Sequence, residues 1–306
     1  MRHRTFVLLI VGLALVAAAF PCVSSAFAAE VAVSWRPDDE QSTIRGRADA
    51  LGAGFVRAVH ADALALLPGE LSEERSALLR ERLAVTARDY VQSYSELGFE
   101  ESEDGEGRLK TLRLDVTVNR PALKKELKRL GVFYTVRGTR PFELRLSGDA
   151  SGAWAELGRL QSLTGVYART GAEPLVSLVF GEDGLWSGTI SSADESWTEV
   201  DKELDALWIR LWAHHFTRPG ADAGMLTSLT LTVRGWYAAD GVKGFDAELS
   251  TWEKARESAE LVRVDMLPDG IAAMWKVTTL DRDALVARLD AYLPSRGLSY
   301  SFEALP

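Results

Sequence analysis

Leu261-Val262-Arg263-Val264-Asp265-Met266-Leu267-Pro268-Asp269-Gly270-Ile271 alternates apolar and charged residues, breaks at Asp-Gly, and turns apolar again. An Asp-Gly pair between two alternating runs reads as a β-hairpin, because both turn positions tolerate positive φ. The same reading applies at Leu175, Val176, Leu178 and Phe180, followed by Asp183-Gly184, Leu185 and Trp186. A third version has Asp104-Gly105 at its tip, then Leu109, Leu112, Leu114, Val116 and Val118. Ahead of the two later hairpins, Leu144-Arg145-Leu146-Ser147-Gly148 resembles Leu231-Thr232-Val233-Arg234-Gly235. Gly148 and Gly235 lie 87 residues apart, and Asp183 and Asp269 lie 86 apart, which marks an internal repeat.

Helices are expected on either side of each hairpin. Asn119 caps one that has Pro121 in its first turn and Leu123, Leu127 and Leu130 on one face. Ser196 and Glu199 read as a capping box ahead of Leu204, Leu207, Trp208, Leu211 and Trp212. Asp281 precedes Leu285, Leu289, Tyr292 and Leu293. Earlier helices are expected over residues 44–67 with an extension over 72–97, over 152–163 and over 245–259, and closing strands over 132–136 and 298–302. The predicted fold class is α+β: tandem ferredoxin-like modules of order β-α-β-β-α-β, with helices on one face of antiparallel sheets. The expected modules are 30–138, 139–220 and 221–306, and residues 226–236 serve either the second or the third. Residues 216–224 read as a linker.

The opening residues predict an address. Arg2 and Arg4, an apolar run over residues 6–20, and Ala26-Phe27-Ala28 follow the order of a secretory signal peptide, with cleavage expected after Ala28. The run is too short to span a bilayer as a helix, and Phe20-Pro21 before Cys22 disfavours a lipoprotein anchor. Without the leader the chain has no cysteine, so disulfides and thiolate chemistry are excluded. Loss of Arg2 and Arg4 reduces the 35 basic residues to 33 against 44 acidic, a net charge of −11 that opposes a nucleic-acid partner.

Groupings that carry catalysis are scarce. His60 reads as a structural histidine within a helix. The adjacent His214 and His215 point about 100° apart on a helix and share a metal poorly, even with Glu199 or Asp222 to complete a site. Residues 100–107 are acidic but lack calcium-loop spacing, and no phosphate-binding glycine motif or Gly-x-Ser-x-Gly elbow occurs. Neither a cofactor nor a metal is expected. Trp197, Trp208 and Trp212 are assigned to a buried helical stripe. Trp154, Trp236 and Trp252 lie on or beside apolar faces. Trp186 and Trp275 each follow a hairpin turn on a strand face that the sequence leaves open: inward they pack a core, outward they form an interaction surface for sugar rings or a partner's side chains.

The first unit also carries a resemblance. Ile44-Arg45-Gly46-Arg47-Ala48-Asp49-Ala50-Leu51, Leu66-Leu67-Pro68-Gly69, Ala87-Arg88-Asp89-Tyr90-Val91-Gln92-Ser93-Tyr94 and Leu112-Arg113-Leu114-Asp115-Val116-Thr117-Val118 resemble a family of exported bacterial proteins of unknown function. The helix opening is also similar to the amino-terminal domain of the flagellar assembly protein T family, a periplasmic ring component. This resemblance implies a periplasmic, modular α/β protein engaged with other envelope proteins. The expected function is therefore a non-enzymatic periplasmic protein that binds or scaffolds a cell-envelope component, with homo-oligomers compatible. The alternative is an envelope carbohydrate-binding or hydrolytic protein that uses carboxylates and exposed tryptophans.

Overall fold

The computed structural model describes residues 28–39, 41–105, 107–148, 150–193, 195–218 and 226–304. Residues 1–27 of the expected leader and most of the expected linker lie outside the described residues, while Ala28 opens the first strand. Among those described, twelve strands form three mostly antiparallel sheets with eight helices, and no helix is long and apolar enough to cross a membrane.

The first sheet takes the order β1-β3-β2, with β1 Ala28–Trp35, β2 Val91–Asp104 and β3 Gly107–Val118. Alternation in β3 sends Leu112, Leu114, Val116 and Val118 inward, onto α1 (Arg47–Leu66). Helix α1 comes close because Gly54 faces Leu114, where a Cβ has no room. Next, α2 (Glu73–Ala84) is capped by the Ser72 hydroxyl, which accepts from the Arg75 amide at 3.3 Å, and α3 (Arg120–Arg129) by Asn119, which accepts from the Ala122 amide at 3.2 Å. The expected 72–97 helix thus ends at Ala84. Beyond a short 3-10 turn, Tyr94 and Phe99 pair with Val116 and Leu112 as strand.

Residues 132–136 are not a closing strand. Gly131, at φ +76°, ends α3 and starts α4 (Val132–Thr135), a single buried helical turn. The Thr135 hydroxyl donates to the Gly131 carbonyl at 3.0 Å and lies 2.8 Å from the Thr164 carbonyl, which ties this turn to the second unit.

That unit contains β4 (Arg140–Gly148), α5 (Trp154–Thr164), β5 (Val166–Ala168), β6 (Leu175–Phe180), β7 (Trp186–Ser192), β8 (Glu195–Asp201) and α6 (Leu204–Thr217), in sheet order β5-β4-β6-β7-β8. Strand β4 runs parallel to both β5 and β6, so this sheet departs from the expected all-antiparallel pattern. The supposed capping box lies on β8: Ser196 pairs with Ser191, their hydroxyls 3.0 Å apart, and α6 begins only at Leu204. Phe142 meets Trp208 and Trp212 edge-on at 5.7 and 5.4 Å, and Tyr134 stacks on Phe216 at 5.7 Å. The first two units consequently share one continuous core.

The third unit has its own core. Its elements are β9 (Thr227–Trp236), α7 (Ala239–Ser250), β10 (Ser258–Leu267), β11 (Gly270–Thr279), α8 (Arg282–Tyr292) and β12 (Ser299–Ala304). The sheet order is β10-β11-β9-β12, so each crossover skips one strand, and residues 226–236 open this unit. Helix α7 ends at Ser250 rather than near 259, and residues 258–267 become the edge strand. A polar seam joins this unit to the rest. Glu257 takes Lys124 at 2.9 Å and also Lys128, Glu253 takes Arg120 at 3.2 Å, and Asp281 takes Arg137. Burial pushes the Glu257 carboxyl up, but the two lysines outweigh it and hold it below the usual range.

Candidate interaction surface

Neither tryptophan singled out from the sequence lies on the surface. Trp275 is 0% exposed: its register with Leu231 on β9 turns it inward, against Phe245 at 5.1 Å and Trp236 at 5.7 Å, and its Nε1 donates to Asp246 Oδ1 at 2.9 Å. Trp186 is 8% exposed and packs on Phe180 at 4.9 Å. Both belong to cores, which corrects the interaction-surface assignment. The exposed indoles are Trp154, and Trp197 on β8, where it pairs with Ile190 instead of joining a helical stripe.

The histidines have structural partners. Nε2 of His60 lies 3.0 Å from the Ser76 carbonyl and 3.2 Å from its hydroxyl. A carbonyl only accepts, so the 3.0 Å contact is made by the tautomer that carries its proton on Nε2. Burial holds the His60 imidazole below its ordinary pKa. His214 stacks on Trp197 at 4.3 Å and donates to Glu195 at 2.9 Å. His215 packs edge-on against Trp212, and burial, aided by Arg218, pushes its pKa down to about 4. Glu199 is engaged by Arg210 and the Trp197 indole, and Asp222 lies outside the described residues. Among the described residues no three His, Cys, Asp or Glu side chains converge as metal ligands. The acidic hairpin is a ladder of ion pairs: Glu100 with Arg113, Glu101 with Lys110, and Asp104 with Arg36.

What the sequence reading missed is the pair of long edge strands. In β2, Tyr94, Leu97 and Phe99 are all exposed, with Leu97 at a register shift. Strand β10 exposes Leu261, Val262, Val264, Met266 and Leu267 along an edge that no described strand covers. The apolar alternation was visible in both hairpins. The missing signal was the sheet order, which puts both strands at edges; there Tyr94 and Phe99 are exposed although they meet Phe55 at 5.0 Å and Trp35 at 5.9 Å. Such edges present unpaired amides and carbonyls and are ready templates for another strand.

No protein-family model matches this chain, and no curated protein matches it.

Proposed function

We propose that this is a non-enzymatic periplasmic protein that binds or scaffolds a cell-envelope component through the edges of its sheets. Exposed apolar side chains on β2 and β10, each beside an unpaired backbone edge, carry this reading. β-Strand addition draws affinity from main-chain hydrogen bonds and specificity from alternate side chains, and these edges offer both. The export signal read from the opening residues supplies the compartment. On the same reading the third unit is a ferredoxin-like module, and the first unit's resemblance to exported bacterial families suits an envelope role. The carbohydrate-binding or hydrolytic alternative loses the two indoles on which it rested.

The test is a photo-crosslinking amino acid at Leu97 in living cells, followed by mass spectrometry of the adduct. One abundant envelope protein attached at Leu97 is expected. A chain that stays uncrosslinked at its natural abundance refutes the reading.

A further inference from the structure

Long edge strands are normally blunted by inward charges, proline, a β-bulge or a covering element. Strand β10 has a bulge between Leu261 and Arg263, which leaves Val262 without a partner on β11, and beyond the bulge it carries Val264 and Met266 at 44% and 86% exposure. Its register sets Val264 opposite Ala273 and Met266 opposite Ile271, on the helix-bearing side of the sheet. Arg263 and Asp265 alternate onto the other face, where they pair with each other at 2.7 Å. Residues 263–265 therefore read positive, apolar, negative, and an antiparallel copy of that pattern is its own complement.

We propose that β10 pairs antiparallel with β10 of a second copy of this chain, centred on Val264, so that two four-stranded sheets become one. In that register Val264 meets its own counterpart on the twofold axis, and Arg263 meets Asp265 once on either side of it. The neighbouring registers are excluded by charge. Centring on Arg263 or Asp265 opposes like charges, and half-step centres set a charge against an apolar residue. This assignment rests on the reading of the sheet edges as contact surfaces and reserves β10 for self-contact, which leaves β2 for the envelope partner.

Sedimentation equilibrium of the purified protein tests it. A dimer that dissociates on dilution is expected. Val264→Lys and Val264→Glu should each be monomeric, because residue 264 faces itself, and mixing the two variants should restore the dimer. That rescue separates a lost contact from a lost fold. Arg263→Asp and Asp265→Arg should each weaken the dimer at least ten-fold, and the double exchange should recover it. A wild-type protein that stays monomeric up to roughly 100 µM overturns the proposal, as does a dimer indifferent to Val264→Lys. A crosslinker at Val264 that captures only a different protein also overturns it. A monomer that still crosslinks an envelope protein at Leu97 removes this proposal alone; a dimer with no adduct at Leu97 removes only the functional reading.

Discussion

Replacing Trp275 with alanine removes the central side chain of the third unit's core. A buried indole takes roughly 200 Å² out of water, about 5 kcal/mol at about 25 cal/mol per Å². The cavity left between Trp236 and Phe245 closes only in part, because Phe245 is held by further aromatic neighbours, Trp252 and Tyr292. The expected loss is therefore about 4 kcal/mol, a large fraction of a domain's usual stability. It should be confined to residues 226–304, since the third core is separate. Hydrogen exchange followed by mass spectrometry reads both quantities together: protection should collapse in β9 to β12 and persist in β1 to α6. Trp275→Phe, which keeps most of the apolar volume but gives up the bond to Asp246, should cost about 1–2 kcal/mol. A change below about 0.5 kcal/mol for the alanine variant would mean that the indole faces solvent, and would return it to the surface role first considered.

Gly131→Ala forces a side chain to φ +76° and drives its Cβ into the Phe216 ring, so a loss of about 2–4 kcal/mol is expected in urea unfolding, with Phe216→Leu recovering part of it in the same background. His215 is lowered from 6.5 in the unfolded chain to about 4 in the fold, so the unfolded state binds the proton more readily. Its stabilisation is present above pH 6.5 and is lost as pH falls from 6.5 towards 4; His215→Phe should flatten the urea midpoint across that window. Glu257→Ala leaves Lys124 and Lys128 without their carboxylate, and about 1–2 kcal/mol of coupling between α3 and the third unit should disappear, read as faster amide exchange in α3 and around residue 257.

The Asp-Gly hairpins were legible because turn chemistry is local: Gly184 and Gly270 sit at φ +76° and +138°, where other residues are strained. The caps at Asn119 and Asp281 were legible for the same reason. Ser196-x-x-Glu199 misled because it satisfies a helix signature while its alternate residues complete a strand, Ser196 opposite Ser191 and Trp197 opposite Ile190. The β-branched residues of 132–136 suggested a strand, but burial between two units and the left-handed Gly131 overrode that preference. The inward placement of Trp186 and Trp275 depends on pairing register, and the exposure of β10 on its place at the edge of the sheet; neither is encoded in a local window.

Attaching the third unit through Glu253, Glu257 and Asp281 has a consequence for the environment the protein meets. Partly exposed charges are screened as salt rises, with a Debye length that shrinks from about 10 Å at 0.1 M to about 3 Å at 1 M, whereas apolar cores are not weakened in that way. Of the pairs at this joint, Arg120 with Glu253, whose carboxylate is 42% exposed, therefore yields first as ionic strength rises, whereas those of Glu257 and Asp281, at 15% and 9%, are held longer.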